Sequence, residues 1–368
     1  MSYRLIRPLL FSLKPETAHE FVMKGASLFE KLPSKWIRSL TSYQDPILKQ
    51  SLFGCDFESP VGLAAGMDKD GEFIGFWEMM GMGFVEVGSI TALPSEGNPE
   101  PRLFRLPKDE ALINRMGLNN KGAWRNSFIL GKMIKHYKIP VGINIAKTHS
   151  PDILGEAAIE DFVWSYKKLL SLGAYTVLNI SCPNTEEGKT FEEPEALKEL
   201  LNAIRDIQDR WEGWVETKPL LVKLSPPSSN DWKPGKDFEE IMDILMSHPV
   251  DGLVISNTRS DREGLKTTQT ALRDIGKGGL SGRPLQERSL MMMREVYKAT
   301  EGKIPLIGVG GIDSAESAYQ MIRAGASLVQ IYTGLVYKGP GLIREIQKGV
   351  AKRLKRDGFN HISEAVGA

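Results

Sequence analysis

Cysteine is almost missing from this 368-residue chain: only Cys55 and Cys182 occur, which excludes a disulfide framework and suits a reducing compartment. Histidine is sparse too. His19, His136, His149, His248 and His361 are scattered, with no Cys or His pair at metal-ligand spacing, so no metal site is expected. No stretch approaches the ~18 continuous apolar residues of a membrane span, and the first residues lack the basic-then-apolar pattern of a secretory signal. These features lead us to expect a protein kept on the cytoplasmic side. Nor does charge of one sign dominate: 47 Lys+Arg against 46 Asp+Glu leave a net charge of +1, so no global field recruits nucleic acid.

What the chain does have is a regular alternation from residue 59 onward. Short runs at 60–65, 84–90, 141–146, 176–181, 220–225, 252–257, 306–310 and 328–333 are nearly continuous in apolar character, as parallel strands buried on both faces should be. Helical patterns separate them, at 73–80, 122–135, 156–172, 194–211, 238–247, 286–300, 314–324 and 341–356. Eight strands each followed by a helix predict an α/β fold, the (β/α)8 or TIM barrel, for which ~250 residues is usual. Two hairpins are expected beside it, at 48–58 around Gly54 and at 103–115 around Pro107 to Glu110. The last 12 residues read as a frayed polar tail.

Residues 1–45 differ in character from the barrel domain, 46–368. Pro15 and Glu16 open a helix that carries Ala18, Phe21, Val22, Leu28 and Phe29 on one stripe, while Arg4, Arg7, Lys14, Lys24 and Lys31 supply positive charge. Two short amphipathic helices lying on a membrane face would look like this. So would a helical pair packed onto the barrel.

Barrel enzymes place their sites on loops at the C-terminal strand ends, and here nearly every such end is polar. The ends carry Ala65-Gly66-Met67-Asp68-Lys69, Ser89, Asn144 to Lys147, Asn179 to Thr185, Lys223, Ser256-Asn257-Thr258, Gly308 to Gly311 and Tyr332-Thr333-Gly334. The run Leu306 to Ser314 is strand, glycine turn, then a Ser-capped helix start, a pattern that brings backbone N–H groups to an anion. With Gln330-Ile331-Tyr332-Thr333-Gly334 it matches the phosphate cradle behind strands seven and eight. No G-x-G-x-x-G follows the first strand, so a mononucleotide cofactor such as FMN suits this chain better than a dinucleotide. Lys223 and Lys147 are candidates to neutralise charge on a reduced flavin. Lys69 is fit to pair with a carboxylate, and Asn114, Asn179, Asn184 and Asn257 each offer donor and acceptor to ring amides. Cys182, whose thiol titrates ordinarily near ~8.5, stands on the lip as a general base.

The stretches Gly62 to Gly71, Asn114-Arg115-Met116-Gly117, Gly142 to Ile145, Asn179 to Thr185, Gly278 to Leu285 and Gly308 to Ile312 resemble the dihydroorotate dehydrogenases, and the likeness runs over nearly the whole chain. The segment Pro15 to Phe21 resembles the membrane-associated, quinone-using class 2. That resemblance implies FMN held by Ala65, Gly66, Met67, Asp68, Lys69, Ser89, Asn144, Asn179, Lys223, Ser256, Gly282, Gly311, Tyr332 and Thr333. It implies dihydroorotate, and the product orotate, held by Lys69, Asn114, Arg115, Met116, Gly117, Leu118, Asn179, Asn184, Asn257 and Thr258. It further implies a quinone tunnel lined by His19 and Arg105, a membrane surface met by the N-terminal helices, and a peripheral place on the cytoplasmic side of the cell membrane. Residues 183–195 are expected to close over the site as a lid. Three positions depart from the pattern: class 2 members usually place Ser where this chain has Cys182, Phe at Leu118 and Thr at Ser89. The Cys is the habit of the fumarate-using class 1, which makes a class 1-like enzyme the alternative. A non-catalytic, membrane-docked flavin protein is the alternative from outside the enzymes.

Overall fold

Nearly continuous apolar character along eight short runs is what a parallel barrel demands, since each strand meets side chains on both of its faces. The computed structural model describes residues 3–29, 37, 41–181 and 191–368, without the side chains of 27–29. Two helices come first, α1 (Tyr3–Ser12) and α2 (Pro15–Phe29). Among the strands, β1 (Gln50–Leu52) and β2 (Cys55–Phe57) form an antiparallel hairpin. The barrel follows as β3 (Val61–Leu63) and β4 (Phe84–Ile90), then, after the hairpin β5 (Leu103–Leu106) and β6 (Ala111–Asn114), as β7 (Val141–Ile145), β8 (Tyr175–Asn179), β9 (Leu220–Leu224) and β10 (Gly252–Ile255). After β11 (Gly279–Gly282) it closes with β12 (Leu306–Val309) and β13 (Leu328–Ile331). The parallel order is β3-β4-β7-β8-β9-β10-β12-β13, with β13 returning to β3.

All eight barrel strands and both hairpins stand where the sequence puts them. The hairpin β1–β2 plugs the N-terminal end of the barrel with aromatic rings: Phe57 lies edge-on to Phe84 at 5.5 Å, and Phe53 meets Tyr175 at 5.5 Å. Gly62 and Gly142 make room for those rings, because a Cβ would fall 2.4 Å from Phe84 and 2.3 Å from Tyr175. Plugging this end leaves the opposite, C-terminal end as the open one.

Two features lie outside the sequence expectation. Strand β11 pairs antiparallel with β6 to make the three-stranded sheet β11-β6-β5 across the open end, and the helix Thr333–Lys338 begins where the eighth strand was expected to run on. One expectation is corrected. Residues 357–368 are not frayed: Ile362 and Ala365 are fully buried, Tyr297 Oη donates to the Val366 carbonyl at 3.2 Å, and Arg323 Nε donates to the Ala368 carbonyl at 2.7 Å. The two apolar residues, three apart in a short 3-10 turn, supply burial that the polar neighbours conceal.

The N-terminal pair bears out the reading of helices packed onto the barrel, and its other side is exposed. One side packs on the barrel: Tyr3 Oη donates to the Val336 carbonyl at 2.7 Å, Arg105 Nη1 donates to the Leu13 carbonyl at 2.8 Å, and Glu16 pairs with Arg102 at 2.8 Å. The other side shows Leu5, Leu9 and Phe21, each about two-thirds exposed or more. Among the described residues no helix is long and apolar enough to cross a membrane.

Over the open end, Arg288 is fully buried, which a guanidinium tolerates only with partners on every side. It has them: Asn230 Oδ1 at 2.7 Å, the Ser228 carbonyl at 2.9 Å, Asp261 Oδ2 at 2.7 Å and Glu263 Oε2 at 2.5 Å. One side chain thereby ties the loop after β9 to the loop after β10.

Candidate active site

The C-terminal strand ends enclose a cleft of about 1290 Å³, open mouth included. Its floor is a continuous chain of hydrogen bonds that crosses the barrel interior. Glu86, fully buried on β4, accepts from Asn144 Nδ2 at 2.9 Å and from Gln330 Nε2 at 2.6 Å. Asn144 Oδ1 accepts from Ser89 Oγ at 2.5 Å, and Ser89 Oγ accepts from Asn179 Nδ2 at 2.9 Å. Asn257 Nδ2 continues the chain to Asn179 Oδ1 at 3.0 Å and Ser181 Oγ at 2.9 Å. Such a network fixes every amide it includes, since a buried polar group left unpaired costs more than the bond returns.

Two ammonium groups face this floor. Among the described residues, no hydrogen bond or ion pair reaches Lys69 or Lys223. Burial lowers both of their pKa values; the Arg102 charge adds to the effect at Lys69, while Glu86 opposes it at Lys223. Gln330 Oε1 is also buried without a partner. A planar ring with acceptor and donor edges, or a small anion, is what such a set of groups would satisfy.

The far end of the cleft is built from turns. Gly282, Gly310-Gly311 and Tyr332-Thr333-Gly334 converge on it, and Thr333 is held by a 2.9 Å contact between its Oγ1 and Ser281 Oγ. At Gly282 a Cβ would sit 2.4 Å from the Glu110 carbonyl, so only glycine lets β11 close over this end. Arg283 Nη1 pairs with Glu110 Oε2 at 2.7 Å on the rim.

Of the residues expected to hold cofactor, the cleft gathers Ala65, Gly66, Lys69, Ser89, Asn179, Lys223, Ser256, Gly282, Gly311, Tyr332 and Thr333. Asn144 stands one layer behind, joined to the cleft through Ser89 and, by way of Glu86, through Gln330. Met67 and Asp68 are placed elsewhere: Met67 faces an apolar cavity, and the Asp68 carboxylate accepts from the Glu72 and Phe73 amides at 3.0 Å each. Of the substrate set, Lys69, Asn114, Met116, Leu118, Asn179, Asn257 and Thr258 line the cleft. Arg115 turns away, donating to the Ile275 carbonyl and to the Pro101 carbonyl at 3.0 Å, and Gly117 serves a turn against Asn98. Lys147 is likewise spent on structure, its ammonium donating to the carbonyls of Thr148, Ser150 and Ile153. Cys182, Asn184 and residues 183–190 of the expected lid lie outside the described residues.

Sequence reasoning passed over Glu86, and it grouped Gln330 with the phosphate cradle, whereas the side chain donates to Glu86 on the floor. The signal was present as a charged residue inside the otherwise apolar run Phe84-Val85-Glu86-Val87, because a carboxylate buried in a strand must be paired.

Behind Tyr332, which lines both, lies a second cavity of about 880 Å³ with its mouth included. Its walls are mostly apolar side chains from α1, α2 and the barrel, and the expected pair, His19 and Arg105, stand in them. Arg105 is also stacked on Phe11, 4.7 Å from the ring centre. Burial, reinforced by the Lys69 charge and opposed by Glu16, holds His19 down to about 4, so its ring is neutral at neutral pH. Among the described residues no cluster of three or more His, Cys, Asp or Glu could hold a metal.

A closed barrel whose polar cleft is backed, across one tyrosine, by an apolar cavity under two surface helices has the build of a redox enzyme serving two partners. The family model described as dihydroorotate dehydrogenase matches residues 47–354. The chain belongs to the dihydroorotate dehydrogenase family. Relatives named dihydroorotate dehydrogenase (quinone) include that of Deinococcus deserti, 42% identical over 100% of this chain and 99% of its own length, and that of Gloeobacter violaceus, 41% identical over 99% and 98%. The solved structure of the Eimeria tenella dihydroorotate dehydrogenase in complex with ferulenol superposes with a TM-score of 0.85 at 32% identity, covering 98% of each chain.

Proposed function

We infer that this chain oxidises dihydroorotate to orotate in pyrimidine biosynthesis and passes the electrons to a quinone. The observation that carries the reading is the full-length likeness to quinone-dependent relatives, which takes in α1 and α2 as well as the barrel. The cofactor is a flavin. We assign it as FMN, which is supported by the glycine-built end of the cleft, fit for one phosphate, and by the unpartnered Gln330 Oε1 and Lys223 on the floor.

When bound, the flavin supplies a two-electron acceptor for hydride from C6 of the substrate. The protein does the rest. Lys69 would pair with the substrate carboxylate; Asn114, Asn179, Asn184 and Asn257 would hold the ring amides, fixing the face that meets the flavin. Cys182 would take the C5 proton. Lys223 would stabilise negative charge on the reduced ring, its buried ammonium gaining the partner it lacks. Residues 1–45 form the quinone-binding extension in this reading, and 46–368 the catalytic barrel. The exposed Leu5, Leu9 and Phe21 support a peripheral attachment to the membrane, which we place on its cytoplasmic face.

Cys182 keeps the fumarate-using reading in play, and acceptor choice decides between the two. With dihydroorotate as donor, steady-state turnover is expected with a ubiquinone analogue and not above background with fumarate. The reverse order would overturn the quinone assignment.

A further inference from the structure

Quinone reduction requires a proton that the apolar cavity does not supply. A quinone becomes a quinol by taking two electrons and two protons, and the reduced flavin would supply the electrons and at most one of those protons. The second proton must come from solvent. Among the described groups lining the cavity behind Tyr332, His19 is the one that offers both a donor and an acceptor ring nitrogen while neutral; Arg105 has no acceptor, and burial pushes Tyr3 and Tyr332 up.

The far side of His19 is not apolar. It opens on a third cavity, about 1290 Å³ with its mouth included, between α2 and the loops that follow β3 and precede β5. The outer rim of this space carries Glu20 and Glu72, whose side chains are 65% and 45% exposed. Its inner end is His19, Met67 and Tyr332, all of which also line the apolar cavity. Between rim and inner end stand Glu16, one helical turn before His19 on α2, and Asp68, which is 2% exposed. Two amides satisfy Asp68 at 3.0 Å each, which accounts for its fold but not for its place on a polar space running from the surface to a buried imidazole.

We propose that this third cavity is the proton entry of the quinone half-reaction, with His19 as the relay into the apolar cavity and Asp68 as the acid that supplies it. As the quinone is reduced, His19 would give its N–H proton to the quinone oxygen while its other ring nitrogen, the acceptor of a neutral imidazole, takes a proton from Asp68 through the polar space; Asp68 is reprotonated from solvent at the rim. The imidazole ends neutral in its other tautomer, and a turn of the ring returns it to its starting state. The proton states agree with the task. Burial pushes the Asp68 carboxyl up to about 7 against the two amide bonds that lower it, with Glu72 and Asp70 raising it further, while His19 is neutral.

The proposal rests on reading the apolar cavity as the quinone site, and the test separates the two. Holoenzyme reduced anaerobically with dihydroorotate is mixed with menadione or with ferricyanide, which takes electrons and no proton. In His19→Ala, reoxidation by menadione is expected to slow on the order of 10²-fold, and imidazole in the buffer should restore much of it. Reoxidation by ferricyanide should keep the parent rate, and the menadione Kd of the oxidised holoenzyme, read by calorimetry, sets the concentration at which both forms are saturated, where the loss of rate should persist. Asp68→Asn should slow the menadione reaction alone. Equal losses with both acceptors, a loss that vanishes at saturating menadione, no rescue by imidazole, or a parent-like menadione rate in Asp68→Asn would each overturn the relay. A parent enzyme that menadione does not reoxidise would overturn the quinone reading itself, and the relay with it.

Discussion

Replacing Cys182 with alanine slows reduction of the bound flavin by dihydroorotate by about 10²–10⁴-fold, the usual worth of general-base assistance, while the flavin stays bound. The expectation follows from position and chemistry. Cys182 directly follows Ser181 in the sequence, and Ser181 belongs to the floor of the cleft: its Oγ donates to the Lys223 carbonyl at 3.0 Å and accepts from Asn257 Nδ2 at 2.9 Å. A carbon acid needs a base held against it, and a thiol is such a base once ionised. Because a thiol titrates ordinarily near ~8.5, the reduction rate of the parent should rise as pH climbs toward that range. Cys182→Ser, whose hydroxyl ionises far less readily, should need a higher pH for the same rate. Anaerobic stopped-flow across a pH series reads both effects. An alanine variant that reduces its flavin at the parent rate removes Cys182 from the chemistry.

Lys69→Met is expected to lower kcat/KM for dihydroorotate by about 30- to 5,000-fold, equivalent to the ~2–5 kcal/mol cost of removing one partner from a buried charge pair. Burial already lowers the Lys69 pKa, with Arg102 adding to the effect, although Asp70, Glu16 and Asp68 oppose it. A substrate carboxylate in the cleft would complete the set. Since that carboxylate does not change during the reaction, most of the loss should appear in KM rather than kcat, and the Kd for orotate should weaken in parallel. An unchanged KM would show that the carboxylate binds elsewhere. Methionine keeps the length of the side chain, so flavin content serves as the control for folding.

Much of this was legible in the sequence because barrel strands advertise themselves. The run Phe84 to Ile90 is apolar on both faces apart from Glu86 and Ser89, and the strand occupies that run. The glycine turns at Gly310-Gly311 and the polar strand ends likewise carried the cleft. What stayed hidden depends on partners distant in the chain. Strand β11, Gly279-Leu280-Ser281-Gly282, has little strand propensity and exists because β6 pairs with it. Arg115, Met67 and Asp68 sit in stretches that resemble the family's site, yet Arg115 turns away just past β6 between Asn114 and Met116, which line the cleft, and the bend after β3 aims both Met67 and Asp68 away from it between Gly66 and Lys69. Resemblance selected the stretch; backbone direction chose among its members. The third cavity could not be read at all, since it forms where α2 meets loops about 50 to 85 residues further along the chain.

The account stands on a bound flavin that dihydroorotate reduces and a quinone reoxidises. The most direct test is the visible absorbance of the purified, oxygen-free protein, followed through two additions. Dihydroorotate should bleach the yellow colour within the mixing time, and a ubiquinone analogue added next should restore it. A preparation that remains yellow in dihydroorotate, or that bleaches and is then restored by fumarate but not by quinone, would contradict the account.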